Sequence, residues 1–333
     1  MKASSSEFIA GFYQLPSEII TYTLSEFLDA RDLGRLDSAT TSVTLRPRLH
    51  EALGARPMKC FGYIRSKSAL NFLVNKRIQL QKFVGIYNAT YGQLQNLQLQ
   101  GLEAITVSAL KTPFLRYLIT TASQSLTTID VSTNKRHVSS LFINSELGLK
   151  NNTFSKLLKL SIGDRCSAEA LGEIKAACPN LVELNFSPYY GASAEELQIK
   201  YAQSLPCGLQ KLGWRGWDES HRHFGDPFYD VVSQSLRELK SLQIDGSAIT
   251  ATGFANLAAG LRSLEKVIVD KSFSVGHPAS MDDVCTFFEA CTQLKSIKLI
   301  HLRVTHQQLQ RLQRIVGLHI ESLRNCRILN LYM

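Results

Sequence analysis

The chain has 333 residues, 44% hydrophobic and 20% charged, a balance that suits a folded protein with a sizeable core and excludes a disordered polar tail. No apolar run approaches the roughly 20 residues of a membrane-spanning helix, and the start Met1-Lys2-Ala3-Ser4-Ser5-Ser6-Glu7 is too polar for a signal peptide, so a soluble cytoplasmic or nuclear protein with no membrane partner is expected. The net charge of +9 is concentrated: residues 56–102 carry seven Lys/Arg and no Asp/Glu, and residues 293–333 carry seven against one, a polarity that draws acidic or phosphorylated partners, or nucleic acid, unless it is simply a pair of solvated helix faces.

Residues 12–55 read as a small helical domain. Leu15-Pro16-Ser17-Glu18 places Pro at a helix start, where its missing N–H does no harm, and the helix is expected to reach about Leu28. At 100° per residue, Ile20, Leu24, Phe27 and Leu28 fall on one stripe, whereas Ile19 and Tyr22 lie off it and make a second apolar surface. Asp29-Ala30-Arg31-Asp32 opens a short second helix carrying Leu33, Leu36 and Ala39, and residues 46–53 form a third. A unit of about 40 residues buries too little surface to stand alone, so it leans on the rest of the chain, on a partner, or on both. A cap over the following segment needs one apolar face; a docking module needs two.

Residues 56–93 form a linker or a degenerate first repeat, with strands at 61–64 and 82–86 around a helix from Ser66 to Ile78. From residue 94 to 333 the pattern Leu-x-x-Leu-x-Leu recurs at Leu94/Leu97/Leu99, Leu126/Ile129/Val131, Leu157/Leu160/Ile162, Leu181/Leu184/Phe186, Leu209/Leu212/Trp214, Leu239/Leu242/Ile244, Leu264/Val267/Val269, Leu294/Ile297/Leu299 and Cys326/Leu329/Leu331. Nine copies at intervals of 24 to 32 residues predict an α/β leucine-rich-repeat solenoid, a horseshoe with its parallel sheet on the concave face and helices outside. Helices are expected over Ser167–Cys178, Ala194–Leu205, Thr252–Leu261, Ser280–Cys291 and Thr305–Leu323, with Ser167 and Thr252 near two of the starts.

Residues between the repeat apolar positions point away from the core. They predict three rows: Asn96, Thr128, Lys159, Glu183, Lys211, Ser241, Lys266, Ser296; then Gln98, Asp130, Ser161, Asn185, Gly213, Gln243, Ile268, Lys298; then Gln100, Ser132, Gly163, Ser187, Arg215, Asp245, Asp270, Ile300. Ile268 and Ile300 are apolar where solvent contact is expected, which marks them for recognition. Three loops on one rim, at Pro188-Tyr189-Tyr190, 217–224 and 271–277, carry Tyr189, Tyr190, Trp217, Phe224 and Phe273. Together with Arg215, Asp245 and Asp270, the loop residues Tyr189, Tyr190, Trp217 and Phe273 are candidate partner contacts, Tyr, Trp and Arg being frequent interface anchors; Trp214, on a core position, is expected to fill the core, and the same is the alternative for Phe224.

Catalytic signatures are missing. There is no Gly-x-x-x-x-Gly-Lys-Ser/Thr loop, no His-Glu-x-x-His and no Gly-x-Ser-x-Gly, and His221-x-His223 beside Cys207 and Asp218 lacks further ligands at zinc spacing. The seven cysteines form no Cys-x-x-Cys and read as reduced thiols, with Cys178 and Cys291 as small core residues. A non-enzymatic protein without metal or cofactor is expected.

Leu15-Pro16-x-Glu18-Ile19, followed by Leu24, Leu28, Asp32-Leu33, Leu36 and Ser38-Ala39, resembles an F-box, and Cys178-Pro179-Asn180-Leu181 resembles a repeat junction of the F-box/leucine-rich-repeat family. The resemblance implies a substrate receptor of a Skp1–cullin–F-box ubiquitin ligase. Leu15, Pro16, Ile19, Leu24, Leu33 and Leu36 would form or support the surface that docks the Skp1-like adaptor, which holds the cullin, while the repeats hold a protein target, acidic or phosphorylated. Two other readings compete. One is a structural leucine-rich subunit of a larger, RNA-containing assembly that clamps phosphates through its basic segments, including Lys76, Arg77, Arg311 and Arg314. The other is a solenoid similar to the GTPase activator of Ran, whose usual acidic tail contrasts with the basic C-terminal segment here.

Overall fold

In the computed structural model, residues 12, 14–27, 30–40, 45–55, 58–59, 71, 73–75, 78–84, 96–97, 99–107, 112–131, 153–188, 194–214, 224–245, 248–270, 279–300, 302–315, 319–324 and 327–329 are described. The chain forms two compact units, Met1–Leu157 and Leu158–Met333.

The first unit opens with three helices, α1 (Ser17–Phe27), α2 (Ala30–Ala39) and α3 (Leu45–Ala55). Pro16 precedes α1, and its carbonyl accepts the amides of Ile19 and Ile20 at 3.0 and 3.1 Å. Parallel strands β1 (Met58–Lys59), β2 (Leu80–Val84), β3 (Ala104–Thr106) and β4 (Thr128–Val131) follow, paired in that order, with α4 (Thr112–Thr121) between the last two. Residues 71 and 73–75 are helical within the segment expected to be a helix, although Ile78 is not; the strand proposed at 61–64 lies outside the described residues.

One expected strand is misplaced. Leu97 lies in a bend and Gln100 and Gly101 in a turn, and the strand is Ala104–Thr106, built on Leu102, Ile105 and Val107. The run Leu94-Gln-Asn-Leu97-Gln-Leu99-Gln-Gly-Leu102 holds more than one leucine frame. Gly101 decides between them: with φ +89° it takes the left-handed conformation, and Leu102 donates back to the Leu99 carbonyl at 3.1 Å, closing a turn where a strand would have run on. Asn96 and Gln100 therefore sit on turns, exposed, and the row positions of this repeat belong to Ala104 and Thr106.

In the second unit β5 (Lys159–Cys166), α5 (Ala168–Ala177), β6 (Glu183–Pro188), α6 (Glu195–Gln203), β7 (Lys211–Trp214), α7 (Asp226–Ser235), β8 (Ser241–Asp245), α8 (Ala251–Gly260), β9 (Lys266–Asp270), α9 (Met281–Ala290) and β10 (Ser296–Ile300) alternate strand and helix. The strands pair in parallel from β5 to β10. Every triad leucine, or its replacement, described from Leu157 to Leu299 is buried.

Register is kept by a backbone device the side-chain pattern does not show. In each repeat the carbonyl of the residue after the first leucine accepts two amides from the next repeat. Leu158 takes Val182 and Glu183, Val182 takes Gln210 and Lys211, Gln210 takes Lys240 and Ser241, Lys240 takes Glu265 and Lys266, and Glu265 takes Lys295 and Ser296, all between 2.8 and 3.1 Å. Using both lone pairs of one carbonyl locks each strand start to its neighbour, so a one-residue slip would cost hydrogen bonds as well as turn the leucines outward. The first unit shares the device at Glu103, whose carbonyl takes the Thr127 and Thr128 amides at 2.8 and 3.1 Å.

The end of the chain departs from expectation. The helix α10 (His306–Gln313) stops early, and the next strand on β10 is β12 (His319–Arg324), which overlaps the end of the stretch expected to be helical. The Cys326/Leu329/Leu331 copy is not a ladder strand: β13 (Arg327–Leu329) pairs with β11 (Arg303–Thr305) in a separate two-stranded sheet. A strand at 319–324 satisfies the edge amides and carbonyls of β10, which a helix there would leave open. The cap of α8 also moves. Thr250, not Thr252, accepts the Gly253 amide, while Asp226 receives the Thr250 amide at 2.8 Å and its hydroxyl. Two helices were not anticipated, α4 and α7, although α7 shows the signal: Pro227 near its start and Phe228, Tyr229 and Val232 on one buried side.

Candidate functional site

The N-terminal helices present the first candidate surface. Ile20 and Leu24 are 4% and 1% exposed, facing inward, and α1 packs against α3. On the other side of the same helix Ile19 is 48% and Tyr22 53% exposed, and Leu15 just before it is 41% exposed. Pro16 is exposed with them, whereas Leu33 is buried and Leu36 half-buried. The six residues that the resemblance nominates thus separate into an outer set, Leu15, Pro16 and Ile19, and an inner set, Leu24 and Leu33, with Leu36 between. The helices are held in place by a buried carboxylate: Asp37 of α2 accepts Arg46 Nε and Nη2 at 3.3 and 3.1 Å and lies 2.8 Å from His50 Nε2, both residues being on α3.

The outward face of the sheet in the second unit is the other candidate. Cα pairing aligns Lys159, Glu183, Lys211, Ser241, Lys266 and Ser296 in one row and Ser161, Asn185 and Gly213, then Gln243, Ile268 and Lys298, in the next, as the repeat pattern predicts. Glu183 Oε2 is shared by Lys159 Nζ at 3.6 Å and Lys211 Nζ at 3.5 Å. Asn185 Nδ2 donates to Glu183 Oε1 at 3.4 Å and to Ser161 Oγ at 3.3 Å. Over Gly213 a methyl group would lie 2.3 Å from Asn185 Oδ1 and 3.4 Å from Gln243 Oε1, so this glycine leaves room for two amides on the face.

The third row departs from expectation at strand ends. Ile300 is 4% exposed and Ser187 9%, so Ile300 is a core residue and not a surface contact. In both β6 and β10 the inward-outward alternation breaks at this position, with two successive buried residues, so the strand end tucks its side chain under the rim. Ile268 and Asp270 are half-buried on the face. Asp245 is in β8, aligned with Asp270, its side chain outside the described set; Tyr189, Tyr190, Arg215, Trp217 and Phe273 lie outside the described residues, as do His221 and His223. Phe224 faces inward, 2% exposed, stacked on Phe228 at 3.9 Å within a cluster that includes Phe186, Tyr201 and Tyr229. Leu158, exposed beside Lys159, is an apolar surface residue the row rule missed because it lies one position before the first row. Arg311, a candidate phosphate clamp, is already held: its Nε and Nη2 donate to Glu289 at 2.6 and 2.7 Å, and Nη2 also to Thr286 at 3.0 Å.

Thiol chemistry is suppressed where the cysteines are buried. Burial pushes the Cys178 and Cys291 thiols up to about 12, and burial likewise raises Cys285 to about 11, so little thiolate exists near neutrality. Mass-spectrometric mapping after iodoacetamide treatment of the native protein at pH 8 should find Cys207, which is exposed, alkylated and Cys178, Cys285 and Cys291 unmodified until denaturant is added. Fast native labelling of Cys178 would contradict this packing. Among the described residues no group of three or more His, Cys, Asp or Glu is placed to hold a metal ion, and no helix is long and apolar enough to cross a membrane.

No protein-family model matches the chain, and no curated protein matches it. Among solved structures it is similar to an internalin from Listeria monocytogenes, at 12% identity and a TM-score of 0.46 over 90% of this chain and 89% of that one. A Bacteroides fragilis protein is similar at 11% identity and a TM-score of 0.46, covering 90% and 84%. TLR13, solved in complex with ssRNA13, is similar at 14% identity and a TM-score of 0.31, covering 73% of this chain and 45% of that one. The repeat assignment here rests on the chain's own leucine triads and strand register.

Proposed function

We propose that this chain is a non-catalytic substrate-recognition adaptor of a Skp1–cullin–F-box ubiquitin ligase: α1 to α3 dock a Skp1-like adaptor, and the repeat face holds a target protein. The observation that carries the reading is the two-sided α1. Burial of Ile20 and Leu24 already supplies the face that packing requires, yet Leu15, Ile19 and Tyr22 remain on the surface. A clustered set of large apolar side chains in water is costly to maintain and favours a protein contact. The chain's task would then be positional, raising the effective concentration of target near a conjugating enzyme carried by other subunits.

Co-purification tests it. The full-length wild type should retain Skp1 on an affinity resin, and Ile19→Asp, which puts a charge in the centre of the patch, should lose it while remaining folded by circular dichroism. A wild type that fails to hold Skp1 removes the proposal.

A further inference from the structure

Helix α8 differs from the repeat helices beside it. α5, α6, α7 and α9 each carry two or more charged residues, whereas α8 carries none. Opposite its buried Phe254 and Leu257, the residues Ala251, Thr252, Ala255, Asn256 and Ala259 form an exposed, uncharged face. Open grooves run along both of its sides. The groove between α8 and α9, about 370 Å³, is lined by Phe254, Ala255, Ala258, Phe287 and Ala290, with Asp283 near the start of α9. The groove between α7 and α8, about 660 Å³, is polar and holds Arg237 and Arg262, each one residue past its helix cap. Ala259 lines both grooves, so they join into one surface. Neither arginine has a hydrogen-bond or ion-pair partner among the described residues.

The surface carries opposite signs at its two ends, about 15 Å apart along the ten residues of α8. Arg237 and Arg262 make the C-terminal end cationic. Asp282 and Asp283 make the other end anionic, where α9 starts and Asp283 shares a groove with Ala251. Both carboxylates keep acceptor capacity: Asp283 uses Oδ2 for the Ser280 amide and hydroxyl, and Asp282, 66% exposed, has one oxygen 3.8 Å from Arg311 Nη1. We infer that this face pairs with the same face of a second copy of the chain, the two α8 helices lying antiparallel about a two-fold axis near Ala255. An isologous contact requires a surface complementary to itself. Reversing the direction of one copy supplies it, because the arginines of each then meet the aspartates of the other at both ends, over an uncharged centre. Pairing in the same direction would set arginine on arginine. Three short helices offer a modest area, at the low end for specific interfaces, so the dimer is weak and reversible.

Sedimentation velocity of the full-length protein, from roughly 1 to 200 µM, is the test. A reversible monomer–dimer equilibrium is expected within that range. Ala255→Arg puts two like charges at the axis and should leave only monomer, with an unchanged far-ultraviolet circular dichroism spectrum because Ala255 is exposed. Arg262→Glu should raise the dissociation constant about tenfold, since a two-fold interface counts each substitution twice. Lys298→Glu, the same reversal on the outward face of the sheet, should leave it within about twofold. A wild type that stays monomeric at the highest concentration, or a dimer that survives Ala255→Arg, overturns the inference. So does a dimer abolished by Ile19→Asp, because the N-terminal patch would then be what pairs. Skp1 capture reads α1 and is unaffected by Ala255→Arg, so loss of one proposal leaves the other standing.

Discussion

Leu24→Ala should destabilise the first unit by about 2–5 kcal/mol, whereas Ile19→Asp, five residues earlier on the same helix, should change its stability by no more than about 0.5 kcal/mol. Leu24 is 1% exposed, so truncation removes buried methyl groups and leaves a cavity that the surrounding helices only partly fill. Ile19 loses little, since its side chain is already about half in water. A carboxylate in the first turn of α1 also interacts favourably with the amide end of the helix dipole. Urea-induced unfolding of the full-length variants, followed by far-ultraviolet circular dichroism, measures both. Equal losses would mean that the helix has no free face.

Gly260→Ala should cost about 2–3 kcal/mol, near the top of the usual range for overpacking. Gly260 closes α8 against α7, and a methyl group there would lie 2.5 Å from the Ser233 carbonyl oxygen, 2.7 Å from its Cβ and 2.9 Å from its carbonyl carbon. Two of these are backbone atoms, so relief requires one helix to move away from the other. Gly172→Ala in α5 is the matched control: its added methyl meets nothing within 4 Å, and removing backbone freedom from the unfolded chain should stabilise by about 0.5–1 kcal/mol. Opposite signs for two helical glycines, read from thermal melts, would show that helix-to-helix distance is set by Gly260.

How far the sequence reveals these features depends on how many alternatives each stretch of chain offers. Between Leu157 and Leu299 the triads are well separated, and both outward rows follow from them residue by residue. Around Leu97, leucines recur so often that composition alone leaves the frame open; the turn at Gly101 and the paired amides on Glu103 settle it, and neither is visible as a leucine. The C-terminal repeat is ambiguous for a related reason: Cys326/Leu329/Leu331 matches the motif while the edge of β10 is filled by His319–Arg324. Strict alternation places Ile300 on the surface, and it fails at the end of β10, where Leu299 and Ile300 are both buried.

The N-terminal patch was legible for the opposite reason. Helical geometry alone separates Ile19 and Tyr22 from Ile20 and Leu24, and no competing frame exists over Ser17–Phe27. The cradle around Glu183 required the structure. Only the observed ion pairs at Glu183 reveal that alternate lysines on neighbouring strands converge on a single carboxylate.

The adaptor reading stands on the outer side of α1, and isothermal titration of purified full-length protein with purified Skp1 probes that side most directly. A one-to-one complex is predicted, with the negative heat-capacity change that accompanies apolar burial, and with no detectable heat for Ile19→Asp. A flat titration of the folded wild type, or undiminished binding by Ile19→Asp, would contradict it.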